Sequence, residues 1–359
     1  MTRLLVISNG HGEDQIACQV IQAFTRHNPA TEVIGFPLVG AGHAYTQRGI
    51  STLKKPNPTF PSGGFIRNIP TLIKDLRAGL LSHIFRQKRH LLKRGRTADI
   101  IICVGDIFCL WMGSSAQNQV YFLPTAKSDL FMPHSRIELA LMRNRAKKIF
   151  TRDLPTAITL QSARLPALFL GNPMMDGITL KNISFGFSGL EPVLVLLPGS
   201  RDEAYANLEA MLTVVKKMAI SLPFLQILVV KAPSLDTKKI QNLCAIAMLR
   251  HLTITDAFWD ALKAAHLVLG LSGTANEQAV YVGKTVYCFE GSGPQSTKQR
   301  FEEQKKLLGE SLTFISEKDP TLIAHELLEA LKQCPKTPVF NVPDTQASEL
   351  IYRSIMTKD

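Results

Sequence analysis

LVISNGHGED, residues 5–14, runs an apolar stretch into a small glycine-rich turn and then into two acids. Leu4, Leu5, Val6 and Ile7 are apolar at every position, the pattern of a strand covered on both faces. Ser8, Asn9, Gly10, His11 and Gly12 end the run. Glu13 and Asp14 suit the first turn of a helix, where a carboxylate meets the positive end of the helix dipole. A strand feeding a helix through a tight turn is the unit from which parallel sheets are built.

The same alternation recurs along the chain. Strand-like runs occur at 4–8, 32–36, 99–104, 119–123 and 148–151, with helical patterns at 14–27 and 136–146. After residue 190 the strands fit 193–197, 225–230, 252–255, 267–270 and 285–289. Helices fit 205–220, 237–249, 257–265, 275–282 and 298–308. The alternation predicts an α/β protein of two Rossmann-like domains in tandem, at 1–180 and 190–340. Gly177, Gly186, Gly189 and Glu191-Pro192 mark the join. A proline-rich stretch then leads to a last helix near 345–356, within a terminal segment 341–359.

The bulk composition narrows the class. The chain has 359 residues, 45% of them hydrophobic and 19% charged, as expected of a globular protein with two cores. Its formal charge is +12, which favours anionic partners. The six cysteines form no CxxC pair and no zinc-type spacing with histidine, so they read as reduced cytosolic thiols. The chain opens on a strand rather than a secretory leader, and no apolar run reaches the ~20 residues of a membrane span. A cytoplasmic protein is expected.

In open parallel sheets, ligands bind beyond the carboxyl ends of the strands, so the loops after strands are the candidate sites. In the first loop, Asn9, Gly10 and Gly12 let backbone approach a ligand, with His11 and Glu13 beside them. A tight strand-to-helix turn would read the same way, and the GxGxxG dinucleotide spacing is absent. A second loop, Pro198-Gly199-Ser200-Arg201, offers backbone amides and a guanidinium suited to phosphate. A third, Ser272-Gly273-Thr274, precedes a helix whose first turn carries Glu277. It suits a diphosphate and ribose, or else a T-x-x-E capping box. A fourth, 290–297, contains Gly293 and Gln295 and can close over a phosphate or sugar, or serve only as a connection. Asp106 ends the run Ile100 to Gly105 among apolar neighbours, where burial would raise its pKa toward that of a general base. The alternative for Asp106 is a helix cap.

LPGSR at 197–201 followed by Glu203, SGTANE at 272–277 and GSGPQ at 291–295 together resemble lipid-A-disaccharide synthase. The opening SNGHGED, RDLPTA at 152–157 and GNPMMD at 171–176 resemble a narrower group, the lipid-A-disaccharide-synthase-related proteins of photosynthetic bacteria. The similarity runs over nearly the whole chain, and variants of LPGSR and SGTANE also occur in UDP-N-acetylglucosamine 2-epimerases. The resemblance implies a GT-B glycosyltransferase: two Rossmann-like domains facing a cleft, a last helix crossing back to the first domain, a UDP-sugar donor and a lipid-linked acceptor. It implies no metal and no separate cofactor. By position, Arg201, Ser272, Gly273 and Thr274 would contact the diphosphate and Glu277 the ribose, with Gly199, Ser200, Gly293 and Gln295 in the same donor loops. Asp106 would deprotonate the acceptor. Asn9, Gly10, Gly12 and Glu13 would line the acceptor side, with His11 as an acceptor contact or alternative base. The synthase has a serine where this chain has His11-Gly12, and an alanine-proline context where it has Ile107-Phe108-Cys109. Both departures fall on the acceptor side. The other readings are a UDP-sugar epimerase or hydrolase, and a non-catalytic nucleotide-sugar binder.

Residues 67–96 add a basic arm. Nine Lys and Arg face one acid, Asp75, and Ile69, Leu72, Ile73, Leu76, Leu80 and Ile84 fall on a helical stripe. This suits an anionic membrane interface, as a solvated outer helix face also would. Aromatic residues are sparse in it, so a nucleic-acid platform is not expected.

Overall fold

The computed structural model describes residues 2–52, 80–116, 119–125, 127–187, 189, 191–342 and 344–357. The chain forms two compact units, Met1–Gly177 with Asp344–Asp359, and Ile178–Pro343.

Unit 1 is built from β1 (Arg3–Ser8), α1 (His11–His27), β2 (Glu32–Pro37), α2 (His43–Gln47), β3 (Ser51–Thr52), α3 (Leu80–Gly95), β4 (Ile100–Gly105), α4 (Ile107–Gly113), β5 (Val120–Pro124), α5 (Arg136–Arg145), β6 (Ala146–Phe150), α6 (Leu154–Ser162) and β7 (Ala167–Leu168). The strands form one parallel sheet in the order β3-β2-β1-β4-β5-β6-β7. The centre is apolar on both faces for the reason read in the sequence. Leu5, Ile7, Ile101 and Cys103 pack into one core, and Leu4, Val6, Ile102 and Val104 into the other. The chain starts in the middle, winds outward through β2 and β3, then returns to place β4 on the other side of β1. Between β1 and β4 the two loops diverge at the carboxyl edge, which opens a crevice there.

Unit 2 repeats the plan with β8 (Val193–Leu197), α7 (Ala204–Ser221), β9 (Gln226–Val230), α8 (Thr237–Ala247), β10 (Leu252–Thr255), α9 (Phe258–Ala264), β11 (Leu267–Gly270), α10 (Thr274–Tyr281), β12 (Val286–Phe289), α11 (Lys298–Leu308), β13 (Leu312–Ile315) and α12 (Pro320–Gln333). Its parallel order is β10-β9-β8-β11-β12-β13, so the crevice falls between β8 and β11. The sheet is covered on both faces by one continuous apolar core.

The terminal helix α13 (Ala347–Met356) belongs to unit 1 and packs on α1. Asp176 fixes its start. Its two carboxylate oxygens accept from the backbone N–H groups of Ala347 (2.9 Å) and Ser348 (2.6 Å). The Tyr352 ring stacks on His27 at 4.5 Å and meets Phe24 edge-on at 4.9 Å. Glu349 Oε1 lies 2.6 Å from His27 Nε2.

Of the basic arm, 67–79 and the side chains of Leu80, Leu81 and Arg94 lie outside the described residues. The remainder, α3, is amphipathic: His83, Gln87 and Leu91 are buried at four-residue spacing, and Gln87 Nε2 donates to Leu38 O at 2.8 Å. Phe85, Arg86, Arg89 and Lys93 are exposed. No helix among the described residues is long and apolar enough to cross a membrane.

Candidate functional site

The carboxyl edge of unit 1 gathers three acids at the β1–β4 crevice. Asp106 follows β4 directly and caps α4, its Oδ1 accepting from Cys109 N at 3.1 Å. The cap fixes the carboxylate, and the Asn9 side chain is a further donor to it. Asn9 reaches it because Gly105 has no side chain: at φ +148° a Cβ there would overlap the Asn9 amide. Burial raises the Asp106 pKa above the ordinary value, against the pull of its backbone donors. Glu13 is raised by burial too, with the Asp106 charge acting in the same direction.

Asp14 sits deeper. The Ser8 hydroxyl donates to Asp14 Oδ1 at 2.6 Å and lies 2.6 Å from the Tyr45 hydroxyl. A serine has one O–H, so Tyr45 donates to Ser8 and Ser8 to Asp14. Burial pushes the Asp14 carboxyl up to about 7. Acids whose proton affinity is raised by burial, as in all three, and by a neighbouring carboxylate, as in Glu13 and Asp14, accept a proton more readily than exposed ones. His11 opens α1, but its side chain lies outside the described residues. Gly10 precedes α1 without a side-chain cap, and Gly12 is exposed.

Residues that the sequence reading missed adjoin Asp106. A cavity of about 20 Å³ is lined by Asp106, Gly105, Lys127, His134 and Glu138 with apolar neighbours. That volume holds about one water. Lys127 Nζ donates to both Glu138 oxygens, at 2.7 and 2.8 Å. Glu138 also completes a capping box with Ser135 at the start of α5. His134 Nδ1 lies 2.8 Å from Asp129 Oδ1, with both side chains buried. The S-x-x-E spacing at 135–138 was readable as a helix start. Its closeness to Asp106 was not, because β5 and its loop separate the two in sequence.

In unit 2, the loops after β8, β11 and β12 are tied into one surface by two buried side chains. Asn207, on α7, donates from Nδ2 to Pro198 O (3.1 Å) and Ser296 Oγ (3.3 Å), and accepts from Ser292 N (2.7 Å). Ser296 Oγ donates to Leu271 O at 3.0 Å. Gly293, at φ +86°, lies against the Glu203 side chain, where a Cβ would collide. Gln304 Nε2 donates to Gly273 O at 2.7 Å, and Arg300 Nε to Gln295 Oε1 at 3.3 Å. Gly199, Ser200, Arg201, Ser272, Gly273, Thr274, Gly293 and Gln295 thus share the carboxyl edge of one sheet. Ser200, Arg201 and Thr274 are exposed, and Arg201 forms no ion pair among the described residues.

The T-x-x-E capping box is not formed. Gly273 is the residue before α10 and supplies no side-chain cap. The amides of the first turn of α10 therefore face the loop edge with no side chain of that cap across them, as an anion site requires. Glu277 is buried on that turn. Asn207 and Ser296 carried no sequence signal, since a polar residue within an apolar helix and a serine within a small-residue loop have many uses.

Residues 157–285 match the family model described as lipid-A-disaccharide synthetase. The match spans both the 197–203 and the 270–277 loops and leaves Asp106 outside it. No curated protein matches the chain. The structure is similar to UDP-GlcNAc 2-epimerase from Methanocaldococcus jannaschii in complex with UDP-GlcNAc and UDP, at 15% identity and TM-score 0.59, covering 99% of each chain. It is similar to UDP-GlcNAc 2-epimerase from Neisseria meningitidis bound to UDP-GlcNAc, at 13% identity and TM-score 0.59, covering 99% of this chain and 100% of that one. It is also similar to MurG of Acinetobacter baumannii, at 13% identity and TM-score 0.59, covering 99% of each chain. The fold is the GT-B fold, and with the family match it supports an enzyme of the GT-B superfamily.

Proposed function

We propose that the protein is a glycosyltransferase that moves a hexose, of N-acetylglucosamine type or another, from a UDP-sugar to a lipid-linked hydroxyl with inversion. What carries this reading is the unit 2 edge, where Asn207 and Ser296 join three amide-bearing loops at the crevice beside an exposed Arg201. The family match over 157–285 covers the first two of those loops. Arg201, Gly199, Ser200, Ser272, Gly273 and Thr274 would hold the diphosphate and meet its growing charge as it departs. Glu277 would take the ribose, and Gly293 and Gln295 would close over the sugar. In unit 1, Asp106 would take the acceptor proton as the acceptor oxygen attacks C1 and UDP leaves with the bonding pair. Asn9, Gly10, His11, Gly12 and Glu13 would shape the acceptor side. A lipid-linked acceptor places the enzyme at a membrane surface from the cytoplasmic side, with the basic arm 67–96 as a contact.

The experiment is a calorimetric titration with UDP, followed by UDP-sugar turnover with total-lipid extracts. Wild-type protein should bind UDP. Arg201→Ala should bind it roughly 10- to 150-fold more weakly, the worth of a charge-assisted contact. Asp106→Asn should keep UDP affinity and lose transfer. Absent UDP binding, or full transfer by Asp106→Asn, refutes the proposal. A second reading, UDP-sugar epimerisation, is favoured by the likeness to the two UDP-GlcNAc 2-epimerases. Product formed from UDP-GlcNAc without any acceptor would select it.

A further inference from the structure

At the opposite edge of unit 2, away from its candidate loops, large apolar side chains stand in solvent. Ile220, at the end of α7, is 77% exposed, and Phe224, in the turn before β9, is 68% exposed. Ile246 and Met248, at the end of α8, are 71% and 85% exposed. Between these two helix ends lies a groove of about 470 Å³, lined by Ile220, Phe224 and Met248 together with Lys216, Arg250 and His251. The segments forming it, 216–227 and 244–251, hold Lys216, Lys217 and Arg250 and no acid. Neither α7 nor α8 carries a basic residue in its last turn, so the helix dipole accounts for neither the charges nor the apolar groups.

Met248 adds a second observation. It follows α8 in the left-handed conformation, at φ +51° and ψ +38°. Glycine is the ordinary residue there, because a Cβ in that region is strained. A methionine at that position carries the strain with no burial to offset it. Ile220, Phe224 and Met248 line one groove, and exposed apolar groups gathered in this way mark an interaction surface.

We propose that this surface of unit 2 docks on an anionic lipid bilayer, with Phe224, Ile220 and Met248 entering the interface and Lys216, Lys217 and Arg250 facing the headgroups. Apolar insertion flanked by lysine and arginine is the pattern of interfacial binding. A second copy of the chain is disfavoured as occupant, because a two-fold contact pairs this patch with itself, and the patch holds cations with no acid to meet them. The inference goes beyond glycosyl transfer and does not depend on it. It also rests on residues other than those of the basic arm 67–96.

The test uses the full chain and phosphatidylcholine vesicles with and without phosphatidylglycerol. Three proteins are compared by co-sedimentation: wild type, Phe224→Asp/Met248→Asp, and Lys216→Glu/Arg250→Glu, each checked for an unchanged thermal transition. Phe224→Trp in vesicles of brominated lipid then reports on this surface itself. The expected result is wild-type binding that needs phosphatidylglycerol, a loss of about tenfold or more in both double variants, and quenching of the added indole. Unchanged binding in the double variants, or an unquenched Phe224→Trp indole, overturns the proposal. So does a concentration-dependent dimer in sedimentation equilibrium that Phe224→Asp/Met248→Asp abolishes, since the occupant would then be a second copy.

Discussion

Replacing Asp14 by asparagine should make the protein more stable, and only above a particular pH. The Asp14 side chain is 1% exposed, and burial is the main cause that lifts its pKa from 3.8 to about 7. The Ser8 hydroxyl pulls it down and the Glu13 charge pushes it up, both by less. The folded value lies above the unfolded one, so the folded protein keeps this proton to higher pH. Below pH 3.8 both states are protonated and Asp14 imposes no penalty. From there to about pH 7 the unfolded chain sheds the proton first, and stability falls by about 1.4 kcal/mol for each pH unit. The loss totals about 4 kcal/mol and stays in place at higher pH. The amide oxygen of an asparagine at this position accepts from Ser8 as the carboxylate does, without the charge. Asp14→Asn should therefore match wild type near pH 4 and exceed it by about 4 kcal/mol near pH 8. For a domain of this size that is about 8–16 °C in the unit 1 transition. Calorimetry of both proteins across this range measures the difference directly. A difference that does not change with pH, or a variant less stable than wild type near pH 8, would refute burial as the origin of the raised pKa. A destabilising acid beside Glu13 and Asp106 is consistent with the proton-accepting role proposed for this edge.

Two other substitutions probe how the edges are held. Asn207→Ala removes partners from Pro198 O, Ser292 N and Ser296 Oγ together, so unit 2 should lose about 2–3 kcal/mol, read as a lowered urea midpoint. UDP affinity should fall with it, and unchanged affinity would mean that the loops hold their shape without it. Asp176→Ala strips both acceptors from the start of α13 and should cost about 1–2 kcal/mol. Hydrogen exchange at 347–356 should quicken while the unit 2 amides are unaffected, and uniform exchange across the chain would refute local fixing by Asp176.

The amino-acid sequence by itself determined the two parallel sheets and the loops worth inspecting. Uninterrupted apolar runs such as 4–7 and 193–197 have no polar face to give to water, so both sides must be covered. The glycine-rich breaks after them are equally local, since they follow from which residues tolerate a turn. Short or edge elements were not legible: β3 and β7 have two residues each, too few for any period to register. The capping box at Thr274 was a fair local reading that the fold did not use, because Gly273 takes the position before α10. Only the tertiary structure decided that Asn207 holds a loop 85 residues away, that Asp176 caps a helix 171 residues away, and that Tyr45, Ser8 and Asp14 form one hydrogen-bonded chain. It likewise brought Lys127 and His134 to the cavity beside Asp106. A buried polar group must find a partner wherever the packed chain supplies one, and that partner is set by strand order, which leaves no trace in the residues on either side of it.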